Sequence, residues 1–314
     1  MDLTSRGDLA KRLRGRAFEI VLGAMIVLLS LAFLGYLIHR NWATLTAHRW
    51  RFNYAQLVLT MLFYLCAFFI AIWAWHSIIN RLAGAGDLRL NARIYCYSTA
   101  AARLPGIAWD IATRVVMYDQ VGVSKAVTGV ASVLELGLIT LAGVVFYLAL
   151  TPFTRSFASG LGGGPLAIAL VLGIVLTNPH LASYIVRKVR KDALAIPLRY
   201  RDTVQWLLIY VLVWLSGGLL LYATVRSIHD LPLSYVVHVL ADWTLAGMLG
   251  AFVTFVPASL GLKEATLTLL MSRYMPEHIA VVAAILLRLL TTGYSMVLML
   301  AFTRMRSVPG DPCS

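Results

Sequence analysis

Three ionisable residues lie deep inside long apolar stretches, and each is the single Asp, Glu, Lys or Arg of its stretch. They are Glu135 in Ala126–Leu150, Asp242 in Leu231–Leu262 and Arg288 in His278–Thr303. A charge near the centre of a bilayer costs at least about 2.5–3.5 kcal/mol, so such residues persist mainly where they pair or face water. Two interpretations stay open: an ion pair that joins two helices, such as Glu135 with Arg288, and a polar cavity for a charged headgroup.

A Pro-Gly pair interrupts one of the apolar segments, and several of the chain's few charged residues lie close to it. The residues of this first break are Arg103, Pro105, Gly106, Trp109 and Asp110. A helix that begins after such a break offers unpaired N–H donors and the positive end of its dipole to an anion. This pattern predicts a receptor for a phosphate group. The alternative is local, because Asp110 and Arg114 have the i,i+4 spacing of a pair on one helix.

A second break interrupts Tyr235–Tyr274 at Val256–Ala265 and carries Gly261, Lys263 and Glu264. Lys263 or Arg103 could supply the cation that the three midplane charges lack, because their net charge is −1. Glu264 has a local alternative as well, since a carboxylate near a helix start is stabilised by the dipole.

The elements that must position these residues are membrane helices. The chain has 314 residues, of which 60% are hydrophobic and 13% charged, and its mean hydropathy is +0.79. A run of about 18 residues without charge is a candidate span. Four such runs contain no charged residue: Ile20–Ile38, Tyr54–Asn80, Pro165–Val186 and Thr203–Val225. The predicted fold is an all-α integral membrane bundle of about six to eight spans, with two broken or re-entrant segments that enter from opposite faces.

The formal charge of +13 predicts orientation rather than nucleic-acid binding, since no reader motif is present. Sixteen Lys and Arg flank the spans on one side and six on the other, which places both termini in the cytoplasm. We expect a basic cytoplasmic N-terminus over 1–18, one transmembrane domain over 19–303 and a cytoplasmic tail over 304–314. The three cysteines are isolated, and His238 with Asp242 lacks a third ligand nearby, so no metal or other cofactor is expected.

A faint internal similarity links the helices that follow the two breaks. Glu135 lies thirty residues after Pro105, and Arg288 lies thirty-one after Pro257. By the predicted topology these two helices run in opposite directions. An inverted repeat is one interpretation, and chance similarity between two apolar helices is the other.

The motifs resemble a known family. "RLPGIAWD", a span with Glu135, "PASLGLKEATLTLL" and a last span with "ILLRLL" are similar to the flippase-like membrane domain of lysylphosphatidylglycerol synthetases. The resemblance covers about Leu57 to Thr303. It maps the Arg-x-Pro-Gly element and its Trp onto the first break, the Gly-x-basic-Glu element onto Gly261, Lys263 and Glu264, and the last-helix Arg onto Arg288. The chain departs from the family's Pro-Gly-Gly, because Ala258 and Ser259 replace the glycines.

The resemblance implies that an anionic or lipid-linked substrate, of the phospholipid, glycolipid or polyprenyl-phosphate type, is bound and moved across a bacterial inner membrane. No soluble aminoacyl-transfer domain is expected, because the chain ends just beyond Arg306. With no nucleotide-binding motif, transport would run downhill or use an ion gradient through Glu135 or Asp242. The alternative is an accessory membrane subunit that positions a glycosyltransferase or lipid synthase. An intramembrane enzyme with Glu264 or Asp110 as base ranks last, since no nucleophile–base or metal constellation is visible.

Overall fold

A computed structural model describes residues 35–36, 39–40, 42–47, 50–102, 108–154, 164–180, 184, 198–252 and 259–303. Throughout these residues the regular structure is helical. The helices are α1 (Trp42–Ala47), α2 (Tyr54–Ala83), α3 (Leu88–Ala101), α4 (Trp109–Gln120), α5 (Lys125–Leu150), α6 (Gly164–Leu176), α7 (Tyr200–Arg226), α8 (Val236–Phe252), α9 (Ser259–Met271) and α10 (Glu277–Thr303). Short 3₁₀ turns follow α5 at Thr151–Phe153 and precede α8 at Leu233–Tyr235.

Local sequence signals set the ends of the first helices. The Asn53 side chain accepts a hydrogen bond from the Gln56 N–H at the start of α2, and Gly84 ends that helix in the left-handed conformation with φ 72°. A short polar side chain before the first turn and a glycine after the last are common helix caps. The Asp87 carboxylate then caps α3 by accepting from two backbone N–H groups of its first turn, at 2.8 and 3.3 Å. The connection between α2 and α3 is therefore a tight turn coded by a Gly and an Asp.

By length and composition, four helices among the described residues can cross a bilayer, which is consistent with the expected helical membrane protein. They are Tyr54–Ala83, Lys125–Phe153, Tyr200–Arg226 and Glu277–Phe302. Their outer faces expose large apolar side chains, such as Phe69, Leu208 and Leu289, each more than half exposed. Such faces suit acyl chains rather than water.

The antiparallel pair of α2 and α7 forms the centre of the bundle. At one end the Asn53 N–H donates to the Ser227 carbonyl at 2.8 Å, and at the other Arg81 forms an ion pair with Asp202 at 3.2 Å. Between these ends Trp75 and Ile78 of α2 and Leu221 of α7 are almost completely buried. Helices α3, α5, α8 and α10 pack directly against this pair.

On either side of each interruption expected from the sequence, the described residues form two separate short helices; residues 103–107 and 253–258, which lie between them, are outside the described part of the chain. In the first pair, Ser98 of α3 meets Arg114 of α4 while the earlier Asn91 meets the later Tyr118, so the two helices run antiparallel. The second pair, α8 and α9, is antiparallel for the same reason, since Trp243 meets Lys263 and the earlier Tyr235 stacks on the later Tyr274. Each pair then leads into a long helix, α5 or α10. The predicted first span, Ile20–Ile38, and the two cytoplasmic termini, 1–18 and 304–314, fall largely or wholly outside the described residues.

Candidate substrate site

The first buried charge pair joins the short helix α4 to the long helix α5. Arg114 Nη1 donates to Glu135 Oε2, and both side chains are only 6% exposed. The Tyr210 hydroxyl donates to the other carboxylate oxygen at 2.9 Å, and Arg114 Nε donates to Ser98 Oγ at 3.0 Å. A charge pair that is sealed from solvent and supported by further hydrogen bonds fixes how its helices pack, because losing either partner would strand a buried charge.

Aromatic rings enclose the same guanidinium. The Arg114 Cζ atom lies 4.0 Å from the centre of the Trp75 ring and 4.8 Å from that of Tyr95, and both are cation–π distances. Trp75 Nε1 in turn donates to the Tyr118 hydroxyl, and that hydroxyl donates to Asn91 Oδ1. These contacts engage both charged side chains of the pair inside the helix bundle.

The second charge pair joins α9 to α10 and differs because it borders an open space. Arg288 Nη1 donates to Glu264 Oε1 at 2.9 Å, and the two side chains are 32% and 10% exposed. The Lys263 ammonium stands 3.6 Å from the centre of the Trp243 ring. These four residues line a cavity of about 50 Å³, which we call the Lys263 cavity. Two cations and one carboxylate are among its described lining residues.

A glycine positions the tryptophan of this cavity. A Cβ atom at Gly217 of α7 would lie 2.5 Å from Trp243 Nε1, so only a glycine lets the indole pack this closely against α7. The indole face is thereby held over Lys263, where its negative quadrupole attracts the ammonium. Since neighbouring positions on a helix point to different sides, Lys263 and Glu264 reach different partners, Trp243 and Arg288.

A third charge cluster surrounds Asp242. Arg273 Nη2 donates to Asp242 Oδ1 at 2.6 Å, and the Tyr274 hydroxyl donates to Oδ2 at 2.9 Å. Together with Tyr235, His238, Thr154 and Ala241, these residues line a cavity of about 490 Å³, the Asp242 cavity. Its walls come from helix ends and connecting turns on one side of the bundle. They are the turn after α5, the first half of α8 and the residues after α9.

The expected pair of Glu135 with Arg288 is wrong. Glu135 pairs with Arg114 and Arg288 pairs with Glu264, so the two residues belong to different clusters. The alternative pair of Asp110 with Arg114 is also replaced, because the Arg114 guanidinium is bound to Glu135. The cause is geometric: each short helix folds back against the long helix that follows it, and this brings its own charge to that helix. Likewise, Asp242 is not grouped with the other two charges, since its partner Arg273 lies beyond α9.

The remaining predicted site residues are not part of these three charge clusters. Trp109 and Asp110 begin α4, where Asp110 lies in the first turn and is favoured by the helix dipole. The preceding Ala108 has φ 52°, a left-handed conformation that is unusual for alanine. Gly261 lies within α9 rather than in the break. Arg103, Pro105 and Gly106 lie outside the described residues, so the predicted phosphate receptor there stays a prediction.

Several residues of these clusters escaped the sequence interpretation, and only some carried a signal. Arg114 was visible as a charge in an apolar context, although its partner was not. Tyr210 and Trp243 look like ordinary interfacial or packing aromatics, and Arg273 looks like a loop cation. Among the described residues, no group of three His, Cys, Asp or Glu side chains is placed to hold a metal ion.

Comparison with protein-family models and with curated proteins finds no match to this chain.

Proposed function

We propose that the protein is an inner-membrane lipid translocator that binds a lipid with an anionic, phosphate-bearing headgroup and moves it between leaflets. The observation that carries this proposal is the Lys263 cavity. It combines two cations, a single carboxylate and an indole face at the inner end of a short helix pair. Cationic side chains among apolar helices are costly unless they pair with an anion or face water, and both Lys263 and Arg288 border this cavity.

The short helix pairs suit a transporter core. Helices α3, α4, α8 and α9 have 14, 12, 17 and 13 residues, so each is about 18–26 Å long at the helical rise per residue. Over the residues that the structure describes, none of these helices reaches the roughly 30 Å of the hydrocarbon core by itself. We therefore interpret each pair as a re-entrant hairpin whose break is tolerated because protein or a watery cavity surrounds it.

The element order supports an inverted repeat. A long helix, a short antiparallel pair and a second long helix occur twice, as α2–α5 and as α7–α10. In each half, the second short helix pairs with the following long helix, through Arg114 and Glu135 or through Glu264 and Arg288. In the first half the short helix carries the cation and the long helix the carboxylate, and in the second half the two are reversed. Glu135 lies ten residues from the start of α5 and Arg288 eleven from the start of α10. Both pairs therefore sit about 15 Å from opposite ends of the bundle at the helical rise per residue.

The two pairs then have different tasks. The sealed Arg114–Glu135 pair fixes the first hairpin against α5. The Glu264–Arg288 pair is more exposed and borders about 50 Å³ of space, room for about four waters. We infer that a headgroup phosphate displaces these waters and accepts hydrogen bonds from Lys263 and Arg288, while Glu264 keeps the Arg288 guanidinium oriented.

Translocation in proteoliposomes tests the proposal. The full chain is reconstituted with a fluorescent phosphatidylglycerol, and reduction of the outer-leaflet fluorophore by an impermeant reagent measures exchange between leaflets. We expect exchange with the parent protein and at least tenfold slower exchange with Lys263→Gln. Lys125→Gln is the matched control, because Lys125 is 67% exposed at a helix start and pairs with Asp119 on the surface. Exchange no faster than in protein-free vesicles would overturn the proposal and favour the accessory-subunit alternative.

A further inference from the structure

The Asp242 cavity has the size and lining of a ligand site. Its volume of about 490 Å³ lies within the roughly 300–1,000 Å³ typical of small-molecule pockets. It is about ten times larger than the Lys263 cavity. By the predicted topology its walls lie at the non-cytoplasmic ends of their helices, on the side opposite the basic loops.

The charge of this cavity excludes a simple anion site. Asp242 and Arg273 bind each other at 2.6 Å, so the one negative and one positive charge of the lining cancel. Both oxygens of the carboxylate are engaged, one by Arg273 and the other by the Tyr274 hydroxyl. Because the carboxylate is already paired and hydrogen-bonded, a ligand amine would gain less from it than from a free carboxylate, and a phosphate would meet Arg273 already neutralised by Asp242.

Aromatic rings form the other part of the lining. Tyr235 and Tyr274 stack with their ring centres 5.3 Å apart and their planes 21° apart. His238 stands beside both, with ring centres 5.6 Å from Tyr235 and 6.2 Å from Tyr274. Its Nδ1 atom is buried and has no hydrogen-bond partner among the described residues. A buried polar atom without a partner is uncommon, and a rotation of the His238 ring would bring Nδ1 within reach of a hydroxyl in the cavity.

We propose that the Asp242 cavity binds an uncharged, hydroxyl-rich group such as the glycosyl part of a lipid headgroup. The apolar face of a sugar ring packs against aromatic rings, and its hydroxyls exchange hydrogen bonds with groups that both donate and accept. Tyr235, His238, Thr154 and the neutralised Asp242–Arg273 pair offer both kinds of contact. This inference rests on the proposed function, because it supplies the second, uncharged half of a headgroup whose phosphate the Lys263 cavity binds.

Equilibrium binding of three radiolabelled lipids with matched acyl chains tests the inference on the full chain, in a detergent without a sugar headgroup. The lipids are monoglucosyl-diacylglycerol, diacylglycerol and phosphatidylglycerol. We expect the glucosyl lipid to bind at least threefold more tightly than diacylglycerol. Tyr235→Leu removes one aromatic wall and lowers the affinity for the glucosyl lipid about three- to tenfold, whereas Tyr235→Phe keeps it. Tyr54→Leu is the matched control, since Tyr54 is 76% exposed and outside the cavity.

A charge variant gives a second, independent readout. Asp242→Asn removes the negative charge that Arg273 Nη2 binds, so we expect binding of phosphatidylglycerol to rise severalfold, and the double variant with Arg273→Gln to return it to the parent level. Equal binding of the glucosyl lipid and diacylglycerol, or an unchanged affinity in Tyr235→Leu, would overturn the inference. Lys263→Gln separates the two proposals: it slows phosphatidylglycerol exchange in vesicles at least tenfold if the proposed function holds, and leaves glucosyl-lipid binding unchanged.

Discussion

Replacing Glu135 by glutamine should destabilise the protein more than any other single loss of charge in the described residues. The substitution leaves the Arg114 guanidinium buried, with Ser98 and two ring faces as its neighbours. Both charged side chains are only 6% exposed, so solvent cannot replace the lost partner. Breaking a buried pair of this kind costs about 3–5 kcal/mol of unfolding free energy.

A double-mutant cycle in detergent, read out as the free energy of unfolding in a denaturant titration, measures this pair directly. Glu135→Gln combined with Arg114→Gln should lose less than the sum of the single losses, by roughly 2–3 kcal/mol. Glu135→Gln combined with Arg288→Gln is the control cycle, and its two losses should add within about 0.5 kcal/mol, because the residues share no partner. Strong coupling between Glu135 and Arg288, with none between Glu135 and Arg114, would refute the assignment of the pairs.

Individual side chains carry three further predictions. Tyr210→Phe deletes a hydrogen bond to a buried carboxylate, so it should cost about 1.5–3 kcal/mol of unfolding free energy, and an unchanged stability would contradict that bond. A Cβ atom at Gly173 would lie 3.2 Å from a backbone atom of α5, whereas one at Gly293 would meet nothing within 4 Å. Gly173→Ala should therefore cost about 1–3 kcal/mol in the same titration while Gly293→Ala does not destabilise, and equal stability of the two variants would contradict the close approach. In a background without native cysteines, an impermeant thiol reagent should label Asp230→Cys from outside the cell and Lys125→Cys only after permeabilisation, and external labelling at Lys125 would reverse the orientation.

The membrane spans and their interruptions were predictable because each depends only on the composition of its own segment. The charge-free run from Tyr54 to Asn80 is enough to predict a span, since every backbone group of a membrane helix must bond within the helix. The two interruptions were predictable for a similar reason, because Pro105 and Pro257 cannot continue a helix without losing a hydrogen bond. Glu135 and Arg288 stood out because a charge in an apolar run is expensive.

The partners of these charges were not predictable, since they depend on how the helices fold against each other. Glu135 and Arg288 looked complementary in charge and similar in depth. The antiparallel return of α4 and α9 instead brings Arg114 and Glu264 within reach first. The contact of Trp243 with Lys263 was not predictable either. It depends on Gly217, which lies twenty-six residues earlier in the chain and leaves room for the indole.

The most direct test of a phosphate site in the Lys263 cavity is to locate a bound anionic headgroup. Phosphatidylglycerol with a photoreactive group on its glycerol headgroup is bound to the purified full chain, irradiated, and mapped by mass spectrometry of the peptides. We predict labelling of α9 and α10 around Lys263 and Arg288, lost in Lys263→Gln and kept in Lys125→Gln. Labelling that avoids both helices, or that survives Lys263→Gln unchanged, would contradict the claim that the Lys263 cavity receives the phosphate.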